Sequence, residues 1–188
     1  MAELPVLLVV SRAEATRPER ELLRAVIAAG PAAGLEWIVA FASEGPLVAE
    51  VRTTGVATHV VRAREPQDLL ARGRVARDLE RLARAEQVSL VFGWGAAGQL
   101  LAGPAAWLAD IPCGWYQDAD GPMTARDRAA TLLRARGIVV RSDAIGAAQA
   151  QLRPHRPVHC VPDAPAFAAA VRDLTLGDDD GLTPVPDA

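Results

Sequence analysis

Three short segments of this 188-residue chain carry the side chains best suited to holding a ligand. The first is Trp115-Tyr-Gln-Asp-Ala-Asp-Gly-Pro122, the most polar and aromatic stretch in a chain with only four Trp, one Tyr and three Phe. A carboxylate at a strand end can orient a substrate hydroxyl, or act as a base if burial raises its pKa. Asp118 is thus a candidate catalytic group, and Tyr116, Asp118 and Asp120 are candidate binding residues. Turn formation explains Asp118, Asp120, Gly121 and Pro122 equally simply; it leads for Asp120 and stands level for Asp118. The second segment is Phe92-Gly-Trp-Gly-Ala-Ala-Gly98. Trp94 could stack on a sugar or base while Gly93 and Gly95 let backbone come close, or Trp94 could pack against a neighbouring loop; the two readings stand level. Gly93, Gly95 and Gly98 have the spacing of a dinucleotide loop, but the next strand ends in Tyr116-Gln117-Asp118 and the motif does not follow the first strand, which leaves that a minor reading. The third segment is Thr16-Arg17. Arg17 could meet an anionic acceptor or a phosphate, although a solvated Arg beside a proline-initiated helix is the favoured reading. Glu19 suits a helix N-terminus without any catalytic role.

The elements that must position these residues follow from periodicity. Leu4-Pro-Val-Leu-Leu-Val-Val-Ser11 reads as a buried parallel strand, and Pro18 to Ala29, stopped by Gly30, as an amphipathic helix returning over the sheet. The unit repeats through strands at 35–41, 57–61, 88–92, 113–117, 138–141 and 158–161. The helices between them fall near 47–54, 67–85, 96–109, 125–136 and 143–152. Seven strands alternating with six helices require right-handed crossovers and give a doubly wound, Rossmann-like α/β fold, a parallel sheet in a three-layer α/β/α sandwich. Ligands then bind beyond the strand C-termini, where strand order reverses. Residues 1–170 form this domain, and 171–188, with three consecutive Asp, two Pro and two Gly, read as an acidic tail or linker.

Composition excludes several classes. All 20 basic residues are Arg against 23 acidic ones, for a net charge of −3, and the signs alternate as in Ala76-Arg-Asp-Leu-Glu-Arg-Leu82. That is a solvated helix face, so no nucleic-acid partner is expected. No apolar run is long enough for a transmembrane segment and Leu4–Val10 lacks the basic flank of a signal peptide, which points to the cytoplasm. The absence of Lys and Asn fits a GC-rich, bacterial coding source. Cys113 and Cys160 sit in apolar strand-like runs and read as buried structural thiols; no metal-ligand spacing accompanies them. His59, His155 and His159 read as scaffold residues. Ser142 reads as a helix N-cap.

Collinear segments give these elements a family resemblance over residues 4–167. They are the opening strand with Pro18-Glu-Arg-Glu-Leu-Leu23, Glu44-Gly-Pro-Leu-Val-Ala-Glu-Val-Arg-Thr-Thr-Gly-Val56 before a strand bearing His59, Ile111-Pro-Cys-Gly-Trp-Tyr116, Ile138-Val-Val-Arg-Ser-Asp-Ala-Ile145 and Val158-His-Cys-Val-Pro162. Together they resemble the N-terminal, acceptor-side domain of GT-B glycosyltransferases of glycosyltransferase family four. The resemblance implies that this domain holds an acceptor (a sugar, a lipid-linked or another small molecule). A C-terminal domain or separate subunit would hold a nucleotide-sugar donor, with no cofactor bound here alone. It also marks departures: Thr16-Arg17 replaces paired glycines, Trp94 and Tyr116 stand where the family has histidines, and Asp163-Ala164 replaces an Asn-Gly turn.

The expected function is therefore acceptor binding by half of a sugar-transferring enzyme, inactive in isolation because the groups that stabilise a departing diphosphate lie elsewhere. The alternative is a non-catalytic binding or interaction module descended from that family. A nucleotide-binding Rossmann-like domain of other ancestry is a third class.

Overall fold

The computed structural model describes residues 3–14, 16–61, 69–117 and 123–177, the stretch 69–72 by backbone alone. Its strands are β1 (Leu4–Val10), β2 (Leu35–Phe41), β3 (Ala57–Val60), β4 (Leu90–Trp94), β5 (Cys113–Gln117), β6 (Gly137–Val140) and β7 (Val158–Cys160). The helices are α1 (Arg17–Ala29), α2 (Pro46–Arg52), α3 (Leu69–Ala85), α4 (Gly95–Ala109), α5 (Ala125–Leu132), α6 (Asp143–Leu152) and α7 (Ala164–Leu176). All strands pair in parallel in the order β3-β2-β1-β4-β5-β6-β7, so the doubly wound three-layer sandwich read from periodicity is the fold. No described helix is long and apolar enough to cross a membrane.

Strand alternation sorts the core into two faces. Val6, Leu8 and Val10 of β1 pack with α1, α2 and α7, whereas Leu7 and Val9 pack with α3 and α4. Farther along the second face, Trp115, Ile138 and Val140 meet Ala96, Ala130 and Ile145 from α4, α5 and α6. A strand buried on both sides loses its polar alternation, which is why β1 and β4 read as unbroken apolar runs.

The largest departure from the sequence reading is α7. The sequence shows six helices and a tail from residue 171, but residues 164–176 form a seventh helix. The physical reason lies in the topology: α4, α5 and α6 all return on one face, and the other face of β4 to β6 needs a cover. The helix supplies it with Phe167, Ala168, Ala170, Val171 and Leu174. Asp163 Oδ1 accepts from the Ala166 N–H at 2.9 Å, so the residue that breaks the expected Asn-Gly turn is the N-cap of α7. At the other end the Arg136 guanidinium donates to the carbonyls of Leu174 (3.0 Å) and Thr175 (3.3 Å). Arg136 is available for this because α5 ends at Leu132 rather than reaching it as the sequence reading has it. Residues 178–188 of the expected tail lie outside the described residues.

Phe167 is fully buried, with its ring centroid 5.8 Å from Phe92, 5.7 Å from Trp94 and 5.3 Å from Tyr116. Truncation here leaves a large cavity. Phe167→Ala is expected to lower unfolding free energy by about 3–5 kcal/mol in urea titration; a loss under about 1 kcal/mol would show that α7 is not part of the cooperative core.

Candidate functional site

The sheet reverses direction of growth at β1, which pairs with β2 on one side and β4 on the other. Crevices form at such a point beyond the strand C-termini. Two adjoining depressions lie there, of about 280 Å3 and about 420 Å3, sharing Glu19 and Trp94. The smaller is bounded by α1, the end of β5 and the start of α6; the larger by the end of β1 and the first turns of α4 and α5.

Trp94 and Tyr116 form the wall, and packing fixes them. Trp94 is 7% exposed, the last residue of β4, with its ring centroid 4.8 Å from Tyr116. It packs on Tyr116 and Phe167, and Trp94 and Tyr116 both line the smaller depression.

The neighbouring glycines answer to packing as well. A Cβ on Gly93 would stand 2.7 Å from Gln99 Cα, and one on Gly98 would stand 2.6 Å from the Val9 carbonyl oxygen. Both clear the way for α4 to lie directly on β4 and β1. Gly95, at φ +68°, turns the chain from strand into helix with no intervening loop, and together with Ala96 and Ala97 it lines the larger depression.

Arg17 and Glu19 take the positions the favoured sequence readings gave them, a solvated arginine and a helix-terminal acid. Arg17 is exposed, pairs with Glu21 at 2.8 Å and lines neither depression. Glu19 accepts from the Thr16 N–H (2.6 Å) and hydroxyl (2.7 Å), a helix cap. Asp127 does the same for Thr124, at 2.8 Å and 2.6 Å. Asp118 and Asp120 lie outside the described residues.

Four residues that sequence reasoning passed over line the depressions. Arg141 and Gln117 line the smaller, Arg12 and Arg126 the larger, and the three guanidinium groups have no partner among the described residues. Arg126 carried a signal, since a cation in the first turn of α5 opposes the helix dipole. Gln117 carried another, as the polar end of a strand buried along its whole length. Ser142 sits at the N-cap of α6, as read, but its side chain makes no capping bond.

The thiols differ from one another. Burial pushes the Cys113 thiol up to about 12, partly offset by its hydrogen bond to Gln99. Cys160 is exposed, contrary to the buried reading, because the edge strand β7 leaves it uncovered; a hydrogen bond with Asp143 raises its pKa. His59 lies 3.8 Å from Glu86 on the surface. Among the described residues no group of three His, Cys, Asp or Glu is placed to hold a metal.

No family model matches this sequence and no curated protein is similar to it. Solved structures are. The UDP-GlcNAc 2-epimerase of Neisseria meningitidis bound to UDP-GlcNAc superposes with TM-score 0.63 at 16% identity over 94% of this chain and 51% of its own. The Anabaena protein HepE in complex with UDP and glucose gives 0.63 at 15%, over 80% and 42%. The lipopolysaccharide outer core galactosyltransferase WaaB gives 0.62 at 10%, over 80% and 42%. The chain has the fold of one half of a GT-B protein. It spans about half the length of the structures it matches, and identities this low establish fold alone.

Two outcomes check these assignments. Gly98→Ala sets a Cβ against a backbone oxygen that cannot move away and should cost about 1–3 kcal/mol, read as a fall in melting temperature; an unchanged melting temperature would refute the packing role. In native protein an aromatic disulfide reagent at pH 8 should label Cys160 alone, with Cys113 reacting only on unfolding; prompt labelling of both would contradict the buried assignment.

Proposed function

We propose that this chain is the acceptor-binding half of a glycosyltransferase of the family-four kind. A second domain or subunit would bind the nucleotide sugar and stabilise the departing diphosphate. The observation that carries the reading is the match of 80–96% of the chain to 41–51% of proteins whose structures contain UDP, UDP-glucose or UDP-GlcNAc. The groove agrees with it. Of the carboxylates lining it among the described residues, Glu19 and Asp127 are engaged as helix caps and Glu14 is exposed to water. Its wall offers the apolar edge of Trp94 and Tyr116, and its rim offers guanidinium groups without a partner among the described residues, the combination that grips a polar ring bearing a charge.

The purified chain incubated with UDP-glucose or UDP-GlcNAc should release no UDP in a coupled assay. Release at ordinary enzyme rates, on the order of 1 per second or faster, would show that the chain is a complete catalyst and overturn the reading.

A further inference from the structure

The smaller depression contains a donor prepared for a ligand that the protein itself does not supply. Gln117 is 2% exposed and closes β5. Its Oε1 accepts from Gln149 Nε2 at 2.5 Å, and the same Nε2 donates to Thr131 Oγ1 at 3.0 Å. The Thr131 hydroxyl in turn donates to the Asp127 carbonyl at 2.8 Å. In this arrangement the Gln117 oxygen faces Gln149, and Nε2 has no partner among the described residues. The indole N–H groups of Trp37 and Trp115 and the amide nitrogen of Gln99 are also without a partner among the described residues, but they are sealed in the core. Gln117 is not among those sealed groups; it lines the depression. The Gln117 nitrogen opens onto the depression, where a ligand oxygen can replace water as its acceptor.

Arg141, immediately before the α6 N-cap, lines the same depression and has no partner among the described residues. Arg12 and Arg126 stand across the shared edge formed by Glu19 and Trp94. The carboxylate of Glu19, which would otherwise answer Arg141, is already engaged by Thr16. The remaining described lining of the smaller depression includes the apolar or aromatic surface of Leu22, Trp94, Tyr116 and Ile145.

We infer that this depression is a subsite for the phosphate ester of a sugar or polyol, with Gln117 Nε2 and the Arg141 guanidinium donating to the phosphate oxygens and the aromatic wall meeting the ring. The Arg141 guanidinium fork, without a partner among the described residues, matches the oxygens of a phosphate. The volume of about 280 Å3 lies at the small end of ligand sites and suits one ring with its phosphate. This inference rests on the acceptor-half reading and specifies the acceptor's chemical class.

Isothermal titration calorimetry with glucose 6-phosphate, inorganic phosphate, glucose and phosphatidylinositol vesicles tests it. Glucose 6-phosphate should bind saturably, and Arg141→Ala should weaken it at least tenfold. Gln117→Glu should weaken it by a similar factor, since it keeps an oxygen for Gln149 while replacing the donor with a negative charge; unchanged melting temperatures show that both variants fold. Vesicle binding in place of the soluble ester, with the same sensitivity to both variants, keeps the subsite and assigns the phosphate to a lipid headgroup. Equal affinity for inorganic phosphate means an adventitious ion only and overturns the inference, as do affinities that neither variant changes or no binding to ester or vesicle. Glucose binding as tightly as its phosphate also overturns it while leaving the acceptor half standing, which UDP release by the chain alone would overturn separately.

Discussion

The contact on which the rest of this structure depends is Phe167 of α7 against Phe92, Trp94 and Tyr116. Parallel strands carry their return helices on the side set by right-handed crossovers, and α4, α5 and α6 leave the opposite face of β4 to β6 bare. Covering that face takes a helix that comes after the last strand and crosses back over the sheet edge. With α7 in place, Trp94 and Tyr116 are gripped from below and become the floor of a groove; without it they would be loose aromatic residues at two strand ends. Packing here is therefore the origin of the site's shape, because a wall that is rigid before binding loses little entropy when the ligand arrives.

Most of the architecture was legible in the sequence because apolar runs and helical stripes alternate along residues 4–161, and alternation admits few topologies. What was missed has identifiable causes. The helix α7 is alanine-rich, so its periodic contrast is weak even though alanine favours helix; the Asp163-Ala-Pro165 start was a readable cap and first turn. The glycines at 93 and 98 resembled a ligand loop because close approach of a helix and close approach of a phosphate require the same missing Cβ. Arg17 attracted attention by its place after β1, yet Glu21 one turn later holds it. Gln117 and Arg141 were overlooked because 24 positions separate them in sequence, and only the β5–β6 pairing and the return of α6 bring both to one depression.

The proposed acceptor-half reading implies a division of labour. Among the described lining residues Arg12, Arg126 and Arg141 have no partner, while Glu19 and Asp127 cap helices. On that reading the transfer of a sugar needs in addition a donor site and compensation for diphosphate charge, which a second domain or subunit would supply. Binding in one half and activation in the other is a rational arrangement, since catalysis by orientation requires both reactants to be held before they meet.

Native-state hydrogen exchange on the chain alone tests most directly whether it is a self-contained half built on the α7 seam. The account predicts that the amides of Phe167 to Leu174 exchange as slowly as those of β1 and β4, through global unfolding. Rapid exchange of α7 beside a protected sheet would contradict it, because the groove floor would then lack its support.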